Sequence, residues 1–358
     1  MNIKFNLLAS FCQAAVAFAI LVTLGFANTQ QVNAQGFILA QAQNNPDLIA
    51  HPTGYTGTGG VLNISVGIDP TSLHAMEMFT SVQNVVNTWN GLNVTTNNLQ
   101  FGLIANNEAD FESTLLHEFG HSLGLAHVNI SSDVGVDPGD TNYSNTNTGA
   151  NGVFDFNPGA DGIIGSADDI RGDDVNFNFF EIGVNNPFTI NPIVDSTTYS
   201  NDLADLPAGD NFVANGDRDV AAALGFANTE AVMQQGALFG EVQRTLTASD
   251  VVGIRYGMSG LDEIQGTADD YTLNIEFVGL DAEADIVIDF DNTETSFAVS
   301  SSTLTSINED HWRITSSEIF FNSDINWFFT AAAVPEPGSM FLLGLASIGV
   351  LTRRRRRV

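Results

Sequence analysis

The stretch His117-Glu118-Phe119-Gly120-His121-Ser122-Leu123-Gly124-Leu125-Ala126-His127 decides how the rest of the chain is read. Residues four apart share one face of a helix, so His117 and His121 can offer both imidazoles to one ion. Phe111, Leu115 and Phe119 form an apolar stripe at the same spacing, and Asp110 stands where an N-cap is needed. Glu118, beside the first histidine, can reach a water on the metal without being a ligand. Gly124 tolerates positive φ, so the helix can end there and the chain turn. The turn would return His127 as a third ligand. Three neutral imidazoles with one open position describe a catalytic zinc site rather than a closed structural one. The alternative is a structural metal site, or a decayed enzyme that keeps its ligands; neither needs Glu118.

The motif resembles that of the metzincin metallopeptidases, HExxHxxGxxH, at every fixed position. The resemblance implies an α+β fold: a zinc helix, a methionine-containing turn beneath the metal, and a C-terminal helix. It implies a zinc endopeptidase acting on protein or peptide substrates, with His117, His121 and His127 as ligands and Glu118 as general base to a zinc-activated water. Met233, in Glu230-Ala231-Val232-Met233-Gln234-Gln235, matches the turn. Leu246 to Tyr256 matches the start of the helix that follows it in matrixin-type members, with Ser249 or Asp250 as N-cap. Two spacings depart from the family. Only residues 92–110 separate the first helix from the zinc helix, which leaves little room for the usual run of sheet strands. Conversely, residues 128–232 form a large insertion between His127 and Met233.

Upstream, Val61 to Ile68 reads as a strand. Asp69-Pro70-Thr71-Ser72 reads as the cap of a helix carrying Leu73, Met76, Phe79, Val82, Val86 and Trp89, ended by Gly91. His51 reads as a loop histidine, the alternative being a block on the metal in a latent form. His74 and His311 read as structural. The insertion is rich in Asn, Asp and Gly, with one strand-like alternation from Val175 to Phe179. Residues 258–333 are β-rich: Tyr271–Phe277 and Ala284–Phe290 alternate, while Ile319–Phe321 and Trp327–Phe329 supply bulk. They form either a small β domain or a sheet packed on the catalytic one. Gly159–Asp169 repeats as Gly260–Asp270. The aligned residues Asp161, Asp168, Asp169 and Asp262, Asp269, Asp270 fit two readings: calcium loops, or a pair of similar turns.

Both ends read as addresses. Residues 1–34 have the form of a signal peptide: Lys4, an apolar run from Ala14 to Phe26, and Val32-Asn33-Ala34 before Gln35. Residues 35–60 are an N-terminal segment too short for a folded prodomain, and residues 61–257 hold the metzincin-like domain. Residues 334–358 resemble a PEP-CTERM sorting signal: Pro335-Glu336-Pro337, an uncharged run to Thr352, then Arg353 to Arg357. As a helix that run spans about 24 Å, a little under the roughly 30 Å hydrocarbon core. The resemblance implies export by a Gram-negative bacterium, transient membrane association through the tail, cleavage by an exosortase, and residence at the cell surface or outside the cell. The 358 residues carry a formal charge of −31. Positions 35–334 keep five arginines, no lysine, and all but Glu336 of the 42 acids, a charge near −36. Such a surface repels phosphates and excludes a nucleic-acid binder. The single cysteine, Cys12, lies in the N-terminal apolar stretch, so the body holds no disulfide. The rival from a different class is a non-catalytic surface or matrix protein whose metal serves only folding and adhesion.

Overall fold

Ile64, Val66 and Ile68 fall at alternate positions, and burial of that face makes Gly60–Ile68 a strand. The computed structural model describes residues 49–125, 146–147, 160, 175–176, 179–208, 214, 216, 218–234, 239–290 and 297–331. The elements begin with β1 (Ile49–His51), β2 (Gly60–Ile68), α1 (Phe79–Gly91), β3 (Leu99–Phe101), β4 (Ala109–Asp110) and α2 (Phe111–Ser122). Next come two short antiparallel pairs, β5 (Thr146–Asn147) with β6 (Val175–Asn176) and β7 (Phe180–Glu181) with β8 (Tyr199–Ser200). Helix α3 (Arg218–Ala223) and β9 (Glu241–Gln243) follow, and β9 pairs with β3. The last third holds α4 (Ala248–Met258), β10 (Tyr271–Leu280), β11 (Ile286–Phe290), β12 (Ala298–Ser306), β13 (His311–Phe321) and β14 (Trp327–Phe328). The fold is mixed α and β, mostly sheet with few helices.

The main sheet runs β10–β2–β11–β13–β12. Neighbours are parallel except β12, which is antiparallel to β13. β1 pairs in parallel with His311–Arg313 at the start of β13, on the edge that β11 follows farther along. The strand-rich stretch after residue 258 therefore shares one sheet with β2. This accounts for the short interval between α1 and α2: the strands flanking β2 arrive after α4 instead. Between α1 and α2 lie only the short strands β3 and β4.

Helices α1 and α2 pack on this sheet. Val82, Val86 and Trp89 of α1 and Phe111, Leu115 and Phe119 of α2 join Ile64, Ile275, Ile288 and Ile319 in one buried cluster. Each fully buried side chain of this size contributes roughly 1.5–3 kcal/mol. Trp89 Nε1 donates to Leu116 O at 3.2 Å, so the indole nitrogen is satisfied within the core. Described parts of the insertion, Phe179, Val194 and Tyr199, pack against Ile49 of β1 and Val252 and Tyr256 of α4.

Three local readings are corrected. Helix α1 starts at Phe79, not near Asp69. Asp69 spends its carboxylate on Thr71, accepting from its N and Oγ1 at 2.6 Å each, and His74 has φ 61, which a continuous helix forbids. Leu73 and Met76, read as part of this helix, precede it and are exposed. The N-cap of α4 is Thr247, with Asp250 closing a capping box at the third position. His51 lies in strand β1 and is buried.

Candidate metal centre

Helix α2 forms where its sequence supports it from both ends. Asp110 caps it by accepting from Ser113 N at 3.0 Å, and Arg244 Nε donates to the same carboxylate at 2.8 Å. At the other end Gly124 turns with φ 104, and a Cβ there would stand 2.3 Å from Ala50 O. That turn is therefore seated directly on β1.

His117 and His121 are both buried, as is every residue of α2 except Ser113. His117 Nδ1 lies 2.6 Å from Val232 O, and His121 Nδ1 lies 2.8 Å from Leu125 O. A carbonyl can only accept, so each Nδ1 carries the proton and each neutral ring turns an Nε2 lone pair inward. Those two Nε2 atoms are 3.1 Å apart, with the ring planes at 87°. Burial holds both imidazoles neutral: His117 is pushed down to about 4, and His121 well below the ordinary value, by burial first and then by His117. Two lone pairs facing at this distance repel unless a cation lies between them. Nitrogens bound at about 2.0–2.1 Å to one tetrahedral zinc would stand about 3.3 Å apart, so the donor pair fits that ion.

Glu118 follows His117 and is buried, and neither carboxylate oxygen has a hydrogen-bond partner among the described residues. Burial pushes it up to about 8; the Ser300 amide pulls weakly the other way without making a hydrogen bond. Ser81 Oγ, Thr53 Oγ1 and Trp312 Nε1 are also buried without a partner, but among the described residues only Glu118 leaves a carboxyl so, and it does so beside two converging imidazoles. His127 lies outside the described residues. Among the described residues no group of three His, Cys, Asp or Glu is arranged to hold a metal ion.

Met233 is fully buried against α2. A Cβ at Gly120 would come within 2.3 Å of Met233 Sδ, so glycine is what admits the methionine there. The turn is held from α4. Asp250 accepts from Val232 N at 3.1 Å, Met233 N at 3.0 Å, Thr247 N at 2.8 Å and Thr247 Oγ1 at 2.9 Å. Val232 thus donates to Asp250 through its N–H and accepts from His117 through its C=O. Arg218 holds the approach to the turn, bonding Glu230 at 2.7 Å and Glu241 at 2.8 Å. On the far side, Ser122 Oγ accepts from Ser317 Oγ at 2.8 Å and lies 3.0 Å from Ser300 Oγ, tying α2 to β12 and β13. The sequence reading missed this clamp and this hydroxyl chain. Only the Thr247-x-x-Asp250 spacing carried a legible signal, as a capping box.

The second aspartate loop is built around Thr267. Its Oγ1 lies 3.2, 2.7 and 3.1 Å from carboxylate oxygens of Asp262, Asp269 and Asp270. These carboxylates also cap backbone amides: Asp262 that of Ile264, Asp269 those of Leu261 and Asp262, and Asp270 that of Gly266. Those are the hydrogen bonds of a tight turn. Asp161, Asp168 and Asp169 lie outside the described residues.

Among the described residues no helix is long and apolar enough to cross a membrane. Residues 333–357 match the PEP-CTERM protein-sorting motif. The chain therefore carries the signal of an exported protein sorted to the cell surface, and the motif implies recognition by an exosortase at this end. No curated protein and no solved structure matches the chain.

Proposed function

We propose that the protein is an exported zinc endopeptidase of metzincin type from a Gram-negative bacterium. The observation that carries this reading is the buried pair His117 and His121, tautomers set by two carbonyls and Nε2 atoms 3.1 Å apart, beside the unpartnered Glu118. His117 and His121 would hold the ion, with His127 as the third ligand. Zinc at such a site supplies Lewis acidity to the reacting oxygen atoms. Glu118 takes a proton from the attacking water on a carboxylate oxygen and passes it to the leaving amine. Positive charge beside Glu118 restores its ionised form against the burial that neutralises it. Val232 O and Leu125 O keep both Nδ1 protons in place, so Nε2 stays a lone-pair donor throughout.

The test joins zinc analysis to a general protease assay. Glu118→Gln should keep the metal and the fold and lose at least about 10²-fold in rate. His121→Ala should lose the metal as well. Undiminished cleavage by Glu118→Gln would sink the assignment. Bound zinc with no cleavage of any peptide by the unaltered protein would return the reading to a non-catalytic surface protein.

A further inference from the structure

Away from α2, a second pair of buried histidines joins β1 to β13. His51 and His311 are both almost wholly buried, with rings stacked at 16°. His51 Nε2 lies 2.9 Å from His311 Nδ1. That contact needs one N–H and one lone pair. The pair can therefore hold with no extra proton, or with one. With two, an N–H would face an N–H.

The surroundings provide for one proton only. His311 Nε2 is 3.7 Å from Glu263 Oε1, and Tyr256 OH of α4 donates to the other oxygen of Glu263. A proton on His311 thus has a counter-ion. Among the described residues His51 has none in contact. Its Nδ1 is 3.3 Å from Tyr271 OH of β10, and its ring lies 4.3 Å from that of Tyr55. Its register partner on β13 is Arg313, which adds no negative charge. Asp269 attracts a proton on His51 only at longer range, because its carboxylate caps Leu261 and Asp262. Burial, then His311, pushes His51 down to about 3, against weaker help from the Gly257 backbone and Asp269.

β1 is only three residues long, and its backbone hold is the short parallel pairing with β13 plus Ile49 N donating to Asp310 O at 2.7 Å. We propose that the His51–His311 pair is an acid-sensitive clasp: uptake of the second proton breaks it and frees β1 from β13. The seat of Gly124 on Ala50 O is lost with it, and so is the support for the turn that carries Leu125 O. The clasp itself does not rest on the zinc reading.

The sign follows from His51. Its folded value is depressed below the ordinary 6.5. The clasp is therefore at full strength above pH 6.5 and weakens as pH falls from there toward 3. Opening should increase by up to about tenfold per pH unit in that window. Hydrogen–deuterium exchange of the whole exported chain, corrected for the chemical exchange rate and followed from pH 7.5 to 4.5, tests it. Protection of residues 49–51 should fall at that rate while β2 stays protected, and His51→Gln should flatten the response. Should that variant not fold, C2-proton exchange of His51 in the unaltered protein reads the same equilibrium, with the ring staying neutral to below pH 4. A flat β1 profile, equal loss in β1 and β2, a full response in His51→Gln, or a His51 midpoint near 6.5 would each overturn the clasp.

Discussion

Replacing Asp250 by alanine tests whether α4 positions the proposed metal centre. The carboxylate is fully buried and accepts from three backbone amides and one hydroxyl. Each buried amide left without a partner costs about 1–2 kcal/mol. Three of them give about 3–6 kcal/mol. Part of this is offset because the buried carboxylate is itself unfavourable; burial raises its pKa despite the four hydrogen bonds. A net loss of about 3 kcal/mol remains, which in a domain of this size lowers Tm by about 6–12 °C. Asparagine separates the bonds. It can keep its oxygen at the site of Oδ2, which accepts three of the four, and then turns an amide toward Met233 N. Asp250→Asn should therefore cost about half as much. The second readout is metal affinity. Val232 is gripped on one side by Asp250 and on the other by His117, so freeing it should weaken zinc about 10–100-fold in chelator competition. A folded Asp250→Ala protein with unchanged affinity would refute the positioning role, and unchanged Tm would refute the hydrogen-bond accounting.

Gly120→Ala should destabilise by about 1–3 kcal/mol through the encounter with Met233 Sδ, and Met233→Ala in the same chain should recover part of that loss; strictly additive melting data would show that the two do not touch. Arg244→Ala strips the fork from the buried N-cap Asp110 and should cost about 3–5 kcal/mol, read by denaturant unfolding, with Arg244→Lys intermediate because it keeps the charge and loses the two-pronged geometry. The sorting motif at residues 333–357 predicts surface or released protein lacking Arg353–Arg357, which intact-mass spectrometry reads directly; a mature chain with the cluster retained would point to a simple anchor.

What this sequence settled by itself is local. The interval from Asp110 to Gly124 carries its own cap, stripe and stop, each acting within a few residues, and it forms a capped helix followed by a left-handed turn at Gly124. β2 is legible for the same reason, since alternation is a property of neighbours along the chain. Even there, a local rule failed where two competed. Asp69 reads equally well as a helix cap and as a turn former, and His74 in the left-handed region settled it.

What the tertiary structure decided is pairing across distance. Strand periodicity says which face of β10 or β11 is buried, but not which strand lies alongside. The partners of β2 lie more than 200 residues farther on, as in Asn274 opposite Asn63, beyond the reach of any local pattern. The same limit hid Asp250, whose worth comes from two amides on a distant turn, and His51, which looks like an isolated loop histidine until β13 sets His311 against it. A hydrogen bond's energy depends on where its partner is and on how dry the site is, and only the folded chain specifies either.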